Sequence, residues 1–155
     1  MSKLISLSAS LEDYIEAICH IVAEKKVARG KEIAKRLKVS RASVTEALRS
    51  LAKKGLINYE PYEVITLTKK GRDVAEDVIR RHEALKEFFI KVLAIDDTIA
   101  EDSACRIEHA APPEVIDRLI RFVEYIEVCP SKGTDLIKGY LQYCEKGRLQ
   151  KGCEE

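Results

Sequence analysis

Cys105, Glu108 and His109 stand as Cys-x-x-Glu-His in the stretch DSACRIEHAAP. On a helix, positions i, i+3 and i+4 share one face. A thiolate, a carboxylate and an imidazole then converge, and this mixture of soft, hard and borderline donors suits a divalent transition metal. Two other chemistries use the same residue types. Cys105 as an exposed, activated thiol would make a redox sensor, and a Cys/His/Glu cluster can serve nucleophilic or metal-assisted hydrolysis. The chain has no nucleophile motif or substrate-binding loop, which sets the hydrolase last and leads to the expectation that this is not an enzyme. The plainer reading of Cys105 is a small buried hydrophobe, as free cysteines often are.

The elements that must position these residues differ between the two ends of the chain. Residues 1–70 carry 14 Lys and Arg against 8 Asp and Glu, a balance of +6, whereas residues 71–155 carry 13 against 18, a balance of −5. A basic front half and an acidic back half suit a nucleic-acid reader joined to a cation-binding or dimerising part. No apolar run approaches the ~18 residues of a membrane span, and MSKLISLSAS lacks a signal-peptide core. The expected setting is therefore cytoplasmic, with the five cysteines reduced.

In the front half, Leu11, Tyr14, Ile15, Ile18, Ile21 and Val22 recur at helical spacing after Ser8 or Ser10. Ile33, Ala34 and Leu37 mark a short helix. A turn at Lys38-Val39-Ser40 leads into a further helix, capped by Ser40 and stopped at Gly55. Residues 56–60 and 63–67 alternate as strands around Pro61-Tyr62. Helix–turn–helix followed by a hairpin is a winged helix-turn-helix, whose second helix enters the major groove of double-stranded DNA. Ser40, Arg41, Ala42, Ser43, Thr45, Glu46 and Arg49 are the expected reading face, with Arg41 suited to guanine and Ala42 to a thymine methyl. Lys31, Lys35, Lys53 and Lys54 are expected on phosphates, although most single lysines only solvate a surface. Glu60 and Glu63 at the wing tip would repel phosphate.

In the back half, Thr68 caps a long amphipathic helix reaching about Leu93. A second helix covers roughly residues 98–110, and Pro112-Pro113 opens a third through Val123. Leu136, Ile137, Tyr140 and Leu141 suggest one more short helix. The apolar faces form a plausible homodimer interface, and a two-fold dimer matches a palindromic operator.

SLEDYIEAI, SRASVTEALRSL, LTKKGRDVAEDVIRRHEAL and ACRIEHAAPPEVIDRL occur in an order that resembles the diphtheria-toxin-repressor family of metal-dependent transcriptional repressors. The likeness is to its short, two-domain, manganese-regulator form and covers about residues 8–127. The resemblance implies a mainly α fold: a winged helix-turn-helix domain over residues 1–70, metal-binding and dimerisation helices over 71–128, a Cys-containing tail over 129–155 and no SH3-like third domain. It implies a metal-activated repressor controlling metal-ion uptake, with the metal holding the first helix against the long helices. The implied ligands are Asp13, Glu16, His82, Cys105, Glu108 and His109. Asp13 follows the manganese branch and Cys105 the iron branch, so the chain mixes the two. Glu101 is a candidate for an accessory site, but Lys86 stands where the family often has an acid.

Oxygen-rich sites suit Mn²⁺ and Fe²⁺, while a thiolate turns preference toward Fe²⁺, Co²⁺ or Zn²⁺. Fe²⁺ or Mn²⁺ is the expected effector. Cys129, Cys144 and Cys153 offer a second metal or cluster site, yet their separations of 15 and 9 residues match no tight knuckle, and reduced thiols are the alternative. Cys19 sits among apolar helix residues and is expected in the core.

Overall fold

Apolar spacing and capping residues divide the chain into seven helices and one small hairpin among the described residues. The computed structural model describes residues 7–60, 63–128 and 130–146. It divides into two compact units, Met1–Arg80 and Arg81–Glu155. No helix among the described residues is long and apolar enough to cross a membrane.

In the first unit, α1 (Ala9–Lys25) begins where the Ser8 hydroxyl accepts from the Leu11 N–H, and it ends where Lys26 turns left-handed at φ 72°. The short α2 (Gly30–Leu37) starts with the Arg29 N–H donating to Glu32 Oε2 at 3.1 Å and ends at Lys38, φ 55°. α3 (Arg41–Lys53) is capped by Ser40, whose Oγ accepts from the Ser43 N–H at 3.1 Å. Gly55 adopts φ 71°, which a glycine takes at little cost, and lets the Leu56 N–H close the helix onto the Leu51 carbonyl.

Strands β1 (Ile57–Asn58) and β2 (Thr66–Leu67) pair antiparallel, Ile57 opposite Leu67 and Asn58 opposite Thr66. Both are shorter than the alternation predicts, because a segment distant in sequence takes part of the pairing. Ile65 pairs with Ala28, each donating to the other at 2.8–2.9 Å, while the Thr68 N–H donates to the Leu56 carbonyl in line with the hairpin register. The expected turn at Pro61-Tyr62 lies outside the described residues. Ile15, Ile18, Ile33, Leu48, Leu51, Leu56 and Ile65 fill a single core. Cys19 packs half-buried against it, and that burial pushes its thiol pKa up.

α4 (Lys69–Lys91) carries the boundary between the units within its length. Thr68 Oγ1 accepts from the Gly71 N–H at 3.0 Å, as its expected capping role requires. A Cβ at Gly71 would overlap the Leu56 carbonyl, so only glycine fits this close approach. In the second unit, α5 (Asp97–Ile107) starts one residue earlier and ends sooner than predicted. Asp96 caps it by accepting from the Thr98 N–H at 2.9 Å, and the N–H groups of Ala110 and Ala111 both turn back onto the Ile107 carbonyl. Pro113 opens α6 (Pro113–Val128), where its missing N–H costs nothing. α7 (Pro130–Lys146) is longer than the short helix expected there. The apolar cluster here is small: Ala84, Leu85, Ala104 and Ile116, flanked by Phe89, Leu119 and Ile120.

Candidate metal centre and nucleic-acid interface

Two imidazoles meet one buried carboxylate in the second unit. His82 on α4 places Nδ1 2.6 Å from Glu108 Oε2, and His109 Nε2 lies 3.3 Å from Glu108 Oε1. Glu108 is the C-cap residue of α5 and retains helical geometry, with its N–H on the Ala104 carbonyl. Its side chain is fully buried, while His82 and His109 are largely buried. Arg81 braces the same corner, donating from its guanidinium to the Glu108 carbonyl at 3.0 Å.

This arrangement fits a divalent cation on a direct observation. Glu108 Oε1 is buried and makes no hydrogen bond among the described residues, although His109 lies within ion-pair range. A buried carboxylate oxygen with no hydrogen bond carries a desolvation cost that a cation removes. The hydrogen bond to Glu108 lifts the His82 pKa to about 9; burial works against this, and Glu101 adds to it through its Oε1, 3.1 Å from Nε2. His82 therefore holds a proton at neutral pH that a metal would displace.

Glu101 approaches His82 from a second direction, and the seven-residue step from Glu101 to Glu108 is the helical signal that places them on one stripe. The Lys86 ammonium, with a smaller contribution from His82, holds the Glu101 carboxyl below its usual range. Cys105 lies exposed in the last turn of α5. Asp13 and Glu16 are both half-buried on α1 in the first unit, and Glu16 Oε1 is 3.6 Å from His20 Nε2. Cys144 is exposed on α7, and Cys129 and Cys153 lie outside the described residues.

The expected DNA-reading residues occupy the outer side of α3. Arg41, Ala42, Ser43, Glu46 and Arg49 are exposed and Thr45 is half-buried, while Val44, Ala47, Leu48 and Leu51 turn inward. Three hydroxyls are engaged locally: Ser40 Oγ and Ser43 Oγ lie 2.8 Å apart, and Thr45 Oγ1 donates to the Arg41 carbonyl at 3.0 Å. Lys31 and Lys35 are exposed on α2. Between α3, the start of α2 and the hairpin runs an open groove of about 710 Å³, lined by Arg29, Lys31, Arg41, Arg49, Tyr59 and Glu63 among others. Arg29 and Tyr59 were not legible as groove residues, because only the hairpin's return past Ala28 brings them there.

Comparison with known proteins converges on one family. The N-terminal DNA-binding domain of iron-dependent repressors matches residues 6–65. The metal-binding and dimerisation domain of iron-dependent repressors matches residues 68–136. An uncharacterised helix-turn-helix transcriptional regulator of Methanocaldococcus jannaschii is 37% identical over 76% of this chain and 95% of its own length. The regulator MntR of Shouchella clausii is 35% identical over 82% of this chain and 88% of its own. Among solved structures, a manganese-dependent transcriptional repressor in complex with manganese superposes at TM-score 0.66 with 28% identity, over 74% of this chain and 53% of that one. Thermoplasma acidophilum IdeR superposes at 0.65 with 26% identity, over 76% of this chain and 54% of that one. The chain thus spans about half the length of those two solved repressors.

Proposed function

From the premise that the chain belongs to the iron-dependent repressor family, and is a metal-dependent transcriptional repressor of that family, we propose that its effector is Mn²⁺ or Fe²⁺ and that His82, Glu108 and His109 bind it. The observation that carries this reading is the buried Glu108 carboxylate, one oxygen lacking a hydrogen bond, set between two imidazoles. Imidazole and carboxylate donors suit both metals, and similar regulators named for manganese and a family named for iron point the same way. Asp13 and Glu16 on α1 and Cys105 on α5 enter the ligand set through the resemblance.

The metal supplies fixed positive charge that ties its ligands together. It shifts the protein toward the DNA-competent state only through its higher affinity for that state. Arg41 and Arg49 on α3 meet the major groove, and Lys31 and Lys35 meet phosphates, which makes binding steeply salt-dependent. The exposed Val115, Phe122 and Tyr125 of α6, inside the span matching the dimerisation domain, face a second copy. The resulting two-fold symmetry selects a palindromic operator, and the resemblance assigns that operator to genes of metal uptake.

The test is anaerobic binding to promoter fragments from its own gene and neighbouring transporter genes, titrated separately with Mn²⁺, Fe²⁺, Co²⁺ and Zn²⁺. Specific binding that requires metal is expected. Glu108→Gln and His109→Ala should each weaken the metal response by at least about 100-fold, beyond the effect of losing an outer-shell partner. Asp13→Ala tests the α1 contribution in the same assay. Metal-independent binding to a fragment known to hold a true site would overturn the reading.

A further inference from the structure

His82 stands between two carboxylates whose surroundings differ. On the Nδ1 side, Glu108 is buried and Oε1 makes no hydrogen bond among the described residues. On the Nε2 side, Glu101 already has a cation: Lys86 Nζ lies 2.8 Å from Glu101 Oε2 and 3.1 Å from Asp97 Oδ1. Lys86 is one helical turn beyond His82 on α4, and Glu101 and Asp97 are one turn apart on α5. The ammonium therefore sits where both carboxylates can be neutralised at once.

Resting on the metal-effector reading, we propose that Lys86 is a built-in cation that fills the Glu101–Asp97 side of His82 and confines a divalent ion to the Glu108–His109 side. Two physical effects act together. A divalent ion approaching Glu101 meets a like charge within direct contact range of the same carboxylate and must displace it. Lys86 also holds Glu101 in place as acceptor for the His82 Nε2–H, leaving Nδ1 to face the ion. A carboxylate on the non-ligating nitrogen is the arrangement that orients a metal-bound histidine and fixes its tautomer. Lys86 is thus a positioning residue, and it sets both the number of ions and the ligating nitrogen.

The experiment uses the full chain, with Mn²⁺ bound per chain counted by electron paramagnetic resonance, since Mn²⁺ has little affinity for the tail thiols. The His82 ring nitrogens are read by long-range ¹H–¹⁵N spectroscopy on the Zn²⁺-loaded protein. Wild type is expected to take a single Mn²⁺ in this unit and to show His82 with Nδ1 metal-bound and Nε2 protonated. Lys86→Glu should gain a second Mn²⁺, Lys86→Gln should move in the same direction, and Lys86→Arg should keep the wild-type count. Circular dichroism checks that each variant keeps its helices. The proposal falls if wild type binds a further Mn²⁺ that Glu101→Gln removes, if His82 ligates through Nε2, or if Lys86→Glu keeps the wild-type count. A failure of the underlying reading is seen separately: Mn²⁺ uptake unchanged by Glu108→Gln would overturn both.

Discussion

Among the described residues, the largest fully buried side chains of the first unit are Ile15, Ile18, Ile33, Val44, Leu48, Leu51, Leu56, Ile65 and Val78; those of the second are Ile116 and Glu108. The first unit is organised by burial of aliphatic surface from three helices and a hairpin. The second has a thin apolar cluster, places a carboxylate at a fully buried position, and leaves Val115, Phe122, Tyr125, Val128, Leu136, Tyr140 and Tyr143 exposed. The first unit holds its three helices and hairpin, and with them the exposed side of α3, by its own apolar packing. The second unit leaves a buried charge and uncovered apolar helix faces to be satisfied by what binds it, which under the proposed function are a metal ion and a second copy.

The contrast is most sharply tested by breaking the first core. Leu48→Ala removes a fully buried side chain and should cost about 2–5 kcal/mol, measured by urea unfolding, with a similar loss whether or not metal is present. A loss that metal cancels would erase the distinction between the units.

A second test is pH. In the metal-free protein the His82 pKa is raised to about 9 from 6.5, so the charged imidazole stabilises the fold fully below pH 6.5. That contribution is lost as pH rises through 9, because the unfolded chain has already released the proton. Unfolding midpoints in chelator should therefore fall across this window, and His82→Gln should flatten the slope. Metal affinity should move the opposite way and rise with pH, since binding releases the proton. A midpoint independent of pH between 6.5 and 9 in chelator would remove His82 from its place between the two carboxylates.

The smallest expected effect lies at the start of the reading helix. Ser40→Ala removes the hydroxyl that caps α3 and should cost about 1 kcal/mol of stability. Because that hydroxyl is engaged with Ser43, operator preference should be retained in a binding-site selection. A changed base preference would instead make Ser40 a direct reader.

Helices and their caps were legible because they follow from neighbours in sequence: Ser8, Ser40 and Thr68 act on N–H groups three residues ahead, and Pro113 opens α6. The hairpin was legible in kind but not in extent, since Ala28, distant in sequence, takes the pairing of Ile65. For the candidate site, residue types and spacing singled out Glu108 and His109, and the resemblance added His82. Only the tertiary structure decided that both His82 nitrogens face carboxylates, that the Glu108 side chain is fully buried, and that Lys86 neutralises Glu101. Local spacing decides which face of a helix a residue occupies; which helix meets that face, and how much water is excluded, depends on packing between segments that the sequence leaves far apart.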